Sequence, residues 1–134
     1  SKLFVNVREK MSLCYSIGSG YYGTKGILVV SAGIDFDKEA LTSQEVLRQL
    51  KACQEGDISD EELTAARQAI LSSLRATHDS PGAIEGYYAT SALSGLGLTP
   101  ADYMRAVEEA SAEDVAEAAQ RIRLHTVYFL RGAL

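Results

Sequence analysis

The feature that most constrains the fold of this chain is a change of hydrophobic period at Ser12. Over residues 2–11, apolar side chains recur at helical spacing and charged ones fall on the other side, which predicts an amphipathic helix. Beyond Ser12, apolar and small residues alternate as far as Tyr22, which predicts a strand. Residues 23–26 hold two glycines and predict a tight turn, and the β-branched run of residues 27–34 predicts a second, antiparallel strand.

Helix signals dominate the rest of the chain. Residues 37–53 predict a helix that stops before Gly56, and a capping box at Ser59 and Glu62 predicts a helix that ends near His78. Three more helices are predicted where Ser or Thr precedes the first turn, at Ser80-Pro81, Thr99-Pro100 and Ser111. The side chains predicted to face the core are Ser43, Val46, Leu47, Leu50 and Cys53, then Leu63, Ala66, Ile70 and Leu74, then Val115, Ala118 and Ile122.

Residues 124–130 predict a closing strand, so the expected order is helix, hairpin, about four helices and strand. This order predicts an α+β fold in which an antiparallel sheet has helices packed on one face. We expect residues 1–134 to form a single segment without an internal linker. Because a sheet this small leaves its edges exposed, we also expect self-association or a heterodimer.

Composition excludes several classes of function. With 46% hydrophobic and 23% charged residues, the chain has the make-up of an ordinary globular protein, and no apolar run approaches the roughly 20 residues that cross a bilayer. We therefore expect no membrane partner. A net charge of −5 argues against nucleic-acid binding. Cys14 and Cys53 are too few for a disulfide framework and predict reduced thiols in a cytoplasmic protein.

The residues needed for zinc hydrolysis are not grouped in this sequence. A catalytic zinc needs three protein ligands, and His78 and His125 lie far apart with no second ligand at helical spacing. We therefore predict no metal site and no catalytic residue within the chain, although sequence alone leaves open a site built from both histidines, Cys14 and Cys53. There is no Gly-x-Ser-x-Gly turn for a serine nucleophile.

Residues 1–16 join a helix that carries Leu-Phe and Val-Arg-Glu to a Leu-x-Tyr step into a strand. This segment resembles the C-terminal-half signature of the pitrilysin/insulinase family of inverzincin zinc metallopeptidases. Arg8 and Tyr15 lie seven positions apart, the spacing of that family's arginine–tyrosine pair. The similarity continues through Gly33-Ile34-Asp35, residues 58–63 and residues 126–129, and so covers essentially the whole chain.

The resemblance implies a mitochondrial-processing-peptidase/pitrilysin-like half-domain, incomplete at its N-terminus. In this family a zinc-bearing half with an inverted His-x-x-Glu-His motif faces a second half that supplies the arginine and tyrosine. By resemblance, Tyr15 donates to the carbonyl oxygen under attack and Arg8 holds the backbone of a peptide or unfolded polypeptide. The chain would then be a substrate-binding, non-catalytic portion of a zinc peptidase, inactive alone, with zinc in the parent protein or in a partner.

An alternative remains open. Ser12 and Cys14 stand where active members of the family commonly have Gly and Ala before the tyrosine. With Leu13-Cys14-Tyr15 and residues 79–82 (Asp-Ser-Pro-Gly), the chain more closely resembles a bacterial subgroup, named for elongation factor P modification, whose members often lack the zinc motif and work beside an active relative. It would then be a structural partner subunit of an active homologue. Taken without the resemblance, Arg8 is a charge on a solvated helix face and Tyr15 packs on its hairpin partner.

Overall fold

A computed structural model describes residues 1–132 and confirms the α+β class. The chain opens with a π-helix and an antiparallel hairpin, and five α-helices follow a short 3₁₀ turn. The bounds are Phe4–Lys10 for the π-helix, Ser16–Tyr22 for β1, Ile27–Gly33 for β2, Phe36–Lys38 for the 3₁₀ turn, Glu39–Gln54 for α1, Asp60–Thr77 for α2, Pro81–Ser94 for α3, Pro100–Glu109 for α4 and Ala112–Gln120 for α5.

The first predicted helix is present, and most of it is wound as a π-helix. One of its side chains, Val7, is fully buried, while the neighbouring Arg8 is exposed. Two polar contacts join this helix to distant parts of the chain. Lys2 Nζ lies 2.8 Å from Glu62 Oε2 in α2, and Asn6 Nδ2 donates to Gln49 Oε1 in α1 at 2.7 Å. The position of Arg8 is therefore set by both α1 and α2.

The hairpin pairs as predicted, from Ser16 opposite Gly33 to Tyr22 opposite Ile27. Gly26 supplies the positive φ of 62° that its turn requires. However, β1 begins at Ser16, later than the alternating pattern suggested. The reason is that the chain first turns through Ser12 and buries Leu13.

Side-chain caps fix the starts of α2, α4 and α5, whereas the Ser80 side chain makes no capping hydrogen bond at the start of α3. Capping boxes are present at Ser59 and Ser111, and the Thr99 hydroxyl accepts from the Asp102 amide. Gly95 ends α3 in the left-handed conformation. At the C-terminal end of α4, the Arg67 side chain of α2 donates to the backbone carbonyls of Val107 and Ala110. Helices α2 and α4 are therefore joined by polar contacts as well as by packing.

The core is small. The buried apolar side chains of the described residues are Val7, Leu13, Leu71, Leu74, Ala116 and Ala119. Helix α1 packs against α5, and α2 packs against α4. Leu74 was predicted to be buried and is, whereas Leu71, Ala116 and Ala119 are buried in place of the predicted Ile70, Val115 and Ala118.

The predicted apolar stripe of α1 is confirmed only in part, because Val46, Leu50 and Cys53 are half-buried rather than buried. The buried residues of this helix are Thr42, Glu45 and Gln49, while Leu47 is exposed. Glu45 and Gln49 are buried because they meet hydrogen-bonding partners: Gln49 Nε2 donates to Glu45 Oε1 at 2.6 Å, and Gln49 Oε1 accepts from Asn6 Nδ2. Periodicity predicts which residues share a face, but the partner across that face decides whether the face is polar.

The predicted strand at residues 124–130 is also wrong. This segment has no regular secondary structure, and the sheet is two-stranded. Its composition suits a strand, but strand geometry requires hydrogen bonds to a neighbouring strand. Most of its side chains are exposed, and just after it the Arg131 guanidinium stacks over Phe36 at 5.6 Å. Within residues 1–132, no helix is long and apolar enough to cross a membrane.

Candidate functional site

An open cleft lies where the π-helix ends and the chain turns into β1, facing the residues that leave β2. Its volume is about 350 Å³. Both residues singled out from sequence, Arg8 and Tyr15, line this cleft. The other lining residues are Ser12, Leu13, Cys14, Asp35 and Lys38.

The backbone around Ser12 brings the two side chains together. Ser12 has a positive φ of 50°, a conformation that is uncommon for a residue with a side chain. Its amide donates to the Arg8 carbonyl at 3.0 Å, and the next amide, of Leu13, donates to the Val7 carbonyl at 3.1 Å. The Tyr15 amide then donates to the Gly33 carbonyl at 2.8 Å, which docks Tyr15 beside the end of β2.

Arg8 presents its guanidinium to solvent on the wall of the cleft. The guanidinium carbon lies 4.8 Å from the centre of the Phe4 ring, so the cation stacks on an aromatic face one turn earlier. No carboxylate within residues 1–132 forms an ion pair with Arg8. Its hydrogen-bond donors are therefore free to meet a ligand.

The Tyr15 hydroxyl, by contrast, already has a partner. Tyr15 is 68% exposed, and its hydroxyl donates to Asp35 Oδ1. This hydrogen bond and the negative charge of Asp35 raise the pKa of Tyr15, so the phenol is neutral and remains a donor at physiological pH. The same hydrogen bond, followed by one from Lys38, lowers the pKa of Asp35, which is therefore a carboxylate.

Lys38 fixes the other side of Asp35. Its Nζ lies 3.2 Å from Asp35 Oδ2 and 3.2 Å from the Ser12 carbonyl oxygen. Lys38 thus connects the 3₁₀ turn to the turn at Ser12 across the cleft. The arrangement holds one carboxylate between a phenol and an ammonium group, with a guanidinium on the same cleft.

Asp35 and Lys38 were not predicted as site residues. Asp35 was part of the family resemblance only as the last residue of Gly33-Ile34-Asp35, and Lys38 belongs to no motif in the sequence. The available signal was the hairpin itself, since pairing of Ser16 with Gly33 places the residues just outside each strand side by side.

The cleft thiol is not activated. Burial raises the pKa of Cys14, and the opposing effect of the Arg8 charge is smaller. Burial likewise raises the pKa of Cys53 in α1. Both cysteines are free and only partly buried. Neither has the lowered pKa that a nucleophilic thiolate requires.

The donor residues do not fit a zinc ion. Across residues 1–132, no three His, Cys, Asp or Glu side chains are grouped so that they could hold a metal. His78 lies at the C-terminal end of α2, and His125 Nδ1 lies 2.7 Å from the neighbouring Thr126 hydroxyl. The site of both histidines and both cysteines that sequence left open is therefore not assembled.

Comparison with known proteins decides the family. Residues 1–70, just over half of the chain, match the family described as the peptidase M16 inactive domain. The chain belongs to the peptidase M16 family. This finding confirms the resemblance to the C-terminal half of pitrilysin-type peptidases that residues 1–16 first indicated.

Relatives of this M16 domain are bacterial proteins of greater length. It is 30% identical over 132 residues to the "Probable inactive metalloprotease YmfF" of Bacillus subtilis (strain 168), covering 98% of this chain and 31% of that protein. It is 29% identical over 125 residues to an "Uncharacterized zinc protease" of Rickettsia bellii (strain RML369-C), covering 91% and 30%. The chain thus spans about a third of the length of these relatives.

A solved structure supports the fold. The crystal structure of a conserved protein from Enterococcus faecalis V583 superposes on this M16 domain with a TM-score of 0.81 and 25% identity. The match covers 90% of this chain and 29% of that protein.

Proposed function

We propose that this chain is a substrate-binding, non-catalytic portion of an M16-type zinc peptidase, in which Arg8 and Tyr15 hold the backbone of an extended peptide. One observation carries the proposal: Arg8 and Tyr15, the two residues that the resemblance singled out, line the same open cleft together with Asp35 and Lys38 from beyond the hairpin. The hydrogen bonds of the turn at Ser12, and the one from the Tyr15 amide to Gly33, hold both side chains at this cleft.

The chemistry of the two groups suits a peptide. A guanidinium has five donors in a fixed plane and a permanent charge, so Arg8 can bind backbone carbonyl oxygens. A neutral phenol has a single donor, so Tyr15 can bind one oxygen on the substrate. Such a donor can also stabilise negative charge that develops on a carbonyl oxygen during attack.

The attacking group must come from outside this chain. One relative is named a zinc protease and another an inactive metalloprotease, and both are about three times as long as the matched segment. We propose that zinc, with the base that activates its water, belongs to another half of the parent protein or to an active homologous subunit. We also propose a cytoplasmic location in a bacterium, in keeping with two free thiols and bacterial relatives.

Peptide binding tests this proposal directly. The probe is a fluorescein-labelled decapeptide of unstructured sequence, and fluorescence anisotropy gives the Kd. We expect Arg8→Ala to raise the Kd by about tenfold or more and Tyr15→Phe by about fivefold, because they remove a charged and a neutral hydrogen-bond donor respectively. Matched controls are Arg123→Ala and Tyr128→Phe, both exposed and outside the cleft, which should leave the Kd unchanged.

The control variants allow a negative binding result to be interpreted. If all four variants bind the decapeptide as the parent chain does, Arg8 and Tyr15 do not hold the substrate. If the control variants weaken binding as much as the cleft variants, peptides bind elsewhere on the surface, and the proposal fails as well.

A second candidate function is a structural partner subunit of an active M16 peptidase. The observation in its favour is the word "inactive" in both the family description and the name of the Bacillus relative. Exposed apolar side chains on the hairpin offer a surface for such a partner.

Reconstitution distinguishes the two functions. The chain is mixed with a separately produced M16 half that carries the zinc motif, complex formation is measured by analytical ultracentrifugation, and peptide hydrolysis is followed. If the chain is a structural subunit, Arg8→Ala and Tyr15→Phe should change neither complex formation nor the rate of peptide hydrolysis. A rate loss of tenfold or more in an intact complex supports the substrate-binding function instead.

A further inference from the structure

A phenol has one proton to give, and the Tyr15 hydroxyl gives it to Asp35. A peptide oxygen that is to accept from Tyr15 must therefore displace the Asp35 carboxylate. Asp35 is held on its other oxygen by Lys38 Nζ at 3.2 Å, and the same Nζ is anchored to the Ser12 carbonyl. Asp35, which competes with the peptide oxygen for Tyr15, is thus held in the cleft through both of its carboxylate oxygens.

The kind of oxygen decides the outcome of this competition. A hydrogen bond to an ionised acceptor is roughly twice as strong as one to a neutral acceptor. A neutral backbone carbonyl is therefore a weak competitor for Asp35, whereas another carboxylate accepts from Tyr15 and Lys38 on equal terms. A substrate carboxylate also gains the Arg8 guanidinium, which has no carboxylate partner within the part of the chain that the structure describes.

We propose that Asp35 occupies the place of a substrate carboxylate and that the cleft binds peptides carrying an acidic group, which replaces Asp35 at Tyr15 and Lys38. The inference rests on the proposed function, in which Tyr15 donates to the substrate, and it names the class of peptide. The site already favours a carboxylate in its charged form, since Tyr15 and Lys38 lower the pKa of Asp35. Asp35 makes the cleft selective, because neutral peptides do not readily displace it.

Three peptides of one sequence test the proposal. The first is acetylated and amidated with no acidic residue, the second has a free C-terminal carboxylate, and the third is blocked at both ends with one central Glu. Binding of the unlabelled peptides is measured by isothermal titration calorimetry at about 0.15 M salt, where charges more than about 8 Å away are largely screened. We expect the second or third peptide to bind about tenfold more tightly than the first, and whichever does so identifies the source of the carboxylate.

Asp35→Asn removes the competing charge and is the decisive variant. We expect it to tighten binding of the neutral peptide by about fivefold or more, so that selectivity between neutral and acidic peptides shrinks. Asp37→Asn is the matched control, since it removes the same charge two residues away while the Tyr15–Asp35 hydrogen bond stays in place, and it should change selectivity far less. Lys38→Gln should lower affinity for the acidic peptide alone. Circular dichroism confirms that each variant is folded.

The results separate this inference from the function on which it rests. If the neutral peptide binds as tightly as the acidic ones, and Asp35→Asn changes neither, Asp35 does not stand in for a substrate group, although Arg8 and Tyr15 can still hold peptides. If no peptide binds the parent chain or any variant, the proposed function itself is overturned. If Asp35→Asn tightens binding equally in a Tyr15→Phe background, the competition does not pass through Tyr15 and the inference is wrong.

Discussion

The helical part of this chain and its hairpin have opposite surfaces. All six buried apolar residues of residues 1–132 lie in the π-helix, the turn after it, α2 or α5, and none lies in β1 or β2. In the hairpin only Ile17 and Val30 are even half-buried, while Tyr21, Tyr22 and Ile27 are exposed. The apolar burial that stabilises the chain therefore lies in its helical part, whereas the sheet leaves its apolar side chains exposed, as residues 124–130 also do. The cleft is at the border between the two.

The largest expected effect tests where the stability resides. Leu74→Ala in α2 should lower the free energy of unfolding by about 2–5 kcal/mol, because Leu74 is 7% exposed and its loss leaves a cavity. Leu130→Ala is the same substitution at a site 78% exposed, and should cost less than about 0.5 kcal/mol. Guanidinium unfolding followed by circular dichroism measures both. If both variants lost the same free energy of unfolding, the buried helical residues would not be the main source of stability.

A second test concerns the polar part of the helical core. Glu45→Ala should lower the free energy of unfolding by about 1–3 kcal/mol, because it leaves the buried Gln49 amide without its acceptor. Glu117→Ala, which removes an exposed ion pair with Arg121, should cost less than about 1 kcal/mol. Urea unfolding of both variants gives the values. A larger cost for Glu117 would mean that the polar stripe of α1 adds nothing to the core.

A third substitution should stabilise the helical part. Thr42 Oγ1 is buried in α1 and finds no hydrogen-bond partner among residues 1–132. Thr42→Val keeps the shape and removes the unsatisfied hydroxyl, so it should raise the free energy of unfolding by about 1 kcal/mol. Thr24→Val, in the exposed hairpin turn, should change it little. A loss of stability in Thr42→Val, seen as a lower urea midpoint, would contradict this account.

The smallest expected effect depends on pH. Partial burial opposes the charged form of Glu62, but hydrogen bonds from Lys2 and the Ser59 amide outweigh it and lower its pKa. A carboxylate whose pKa is lowered by folding adds stability above its ordinary pKa of about 4.3, and that stability is lost as pH falls through the lowered value. The parent chain should therefore lose free energy of unfolding as the pH falls from about 5 to 3, and in Lys2→Ala this loss should be smaller by about 0.5–1 kcal/mol.

The control for this pH effect is another lysine. Lys51 forms an exposed pair with Glu55 at 3.6 Å, so Lys51→Ala should leave the acid dependence of stability unchanged. Chemical unfolding at a series of pH values measures both variants. Parallel curves for Lys2→Ala and the parent chain would show that the contact between the π-helix and α2 does not stabilise the fold.

Features that depend on neighbours along the chain were the ones that sequence predicted. Helix starts at Ser59, Thr99 and Ser111 are confirmed, because a cap is made by residues only three positions apart. The hairpin is confirmed for a similar reason, since its turn residues fix the pairing.

Features that depend on contacts between distant parts of the chain were missed. A strand at residues 124–130 needs a partner strand, and its own sequence could not supply one. The polar stripe of α1 is buried against Asn6, which lies 43 positions away from Gln49. In the cleft, Arg8 and Tyr15 followed from a family resemblance and remain predictions as substrate ligands. Asp35 joins them only through the register of the hairpin.

The π-helix makes the length of its segment matter as well as its composition. A π-helix closes its hydrogen bonds over five residues where an α-helix uses four, so residues 4–10 hold one more residue than an α-helical path would. Deleting one residue there, such as Val5, would permit ordinary α-helical bonding. An inserted residue, by contrast, would rotate Lys2 by roughly 100° about the axis relative to Arg8, because the π-helical turn already takes up one surplus residue. Lys2 could then no longer face Glu62 while Arg8 faces the cleft, so we expect this segment to tolerate a single deletion better than a single insertion.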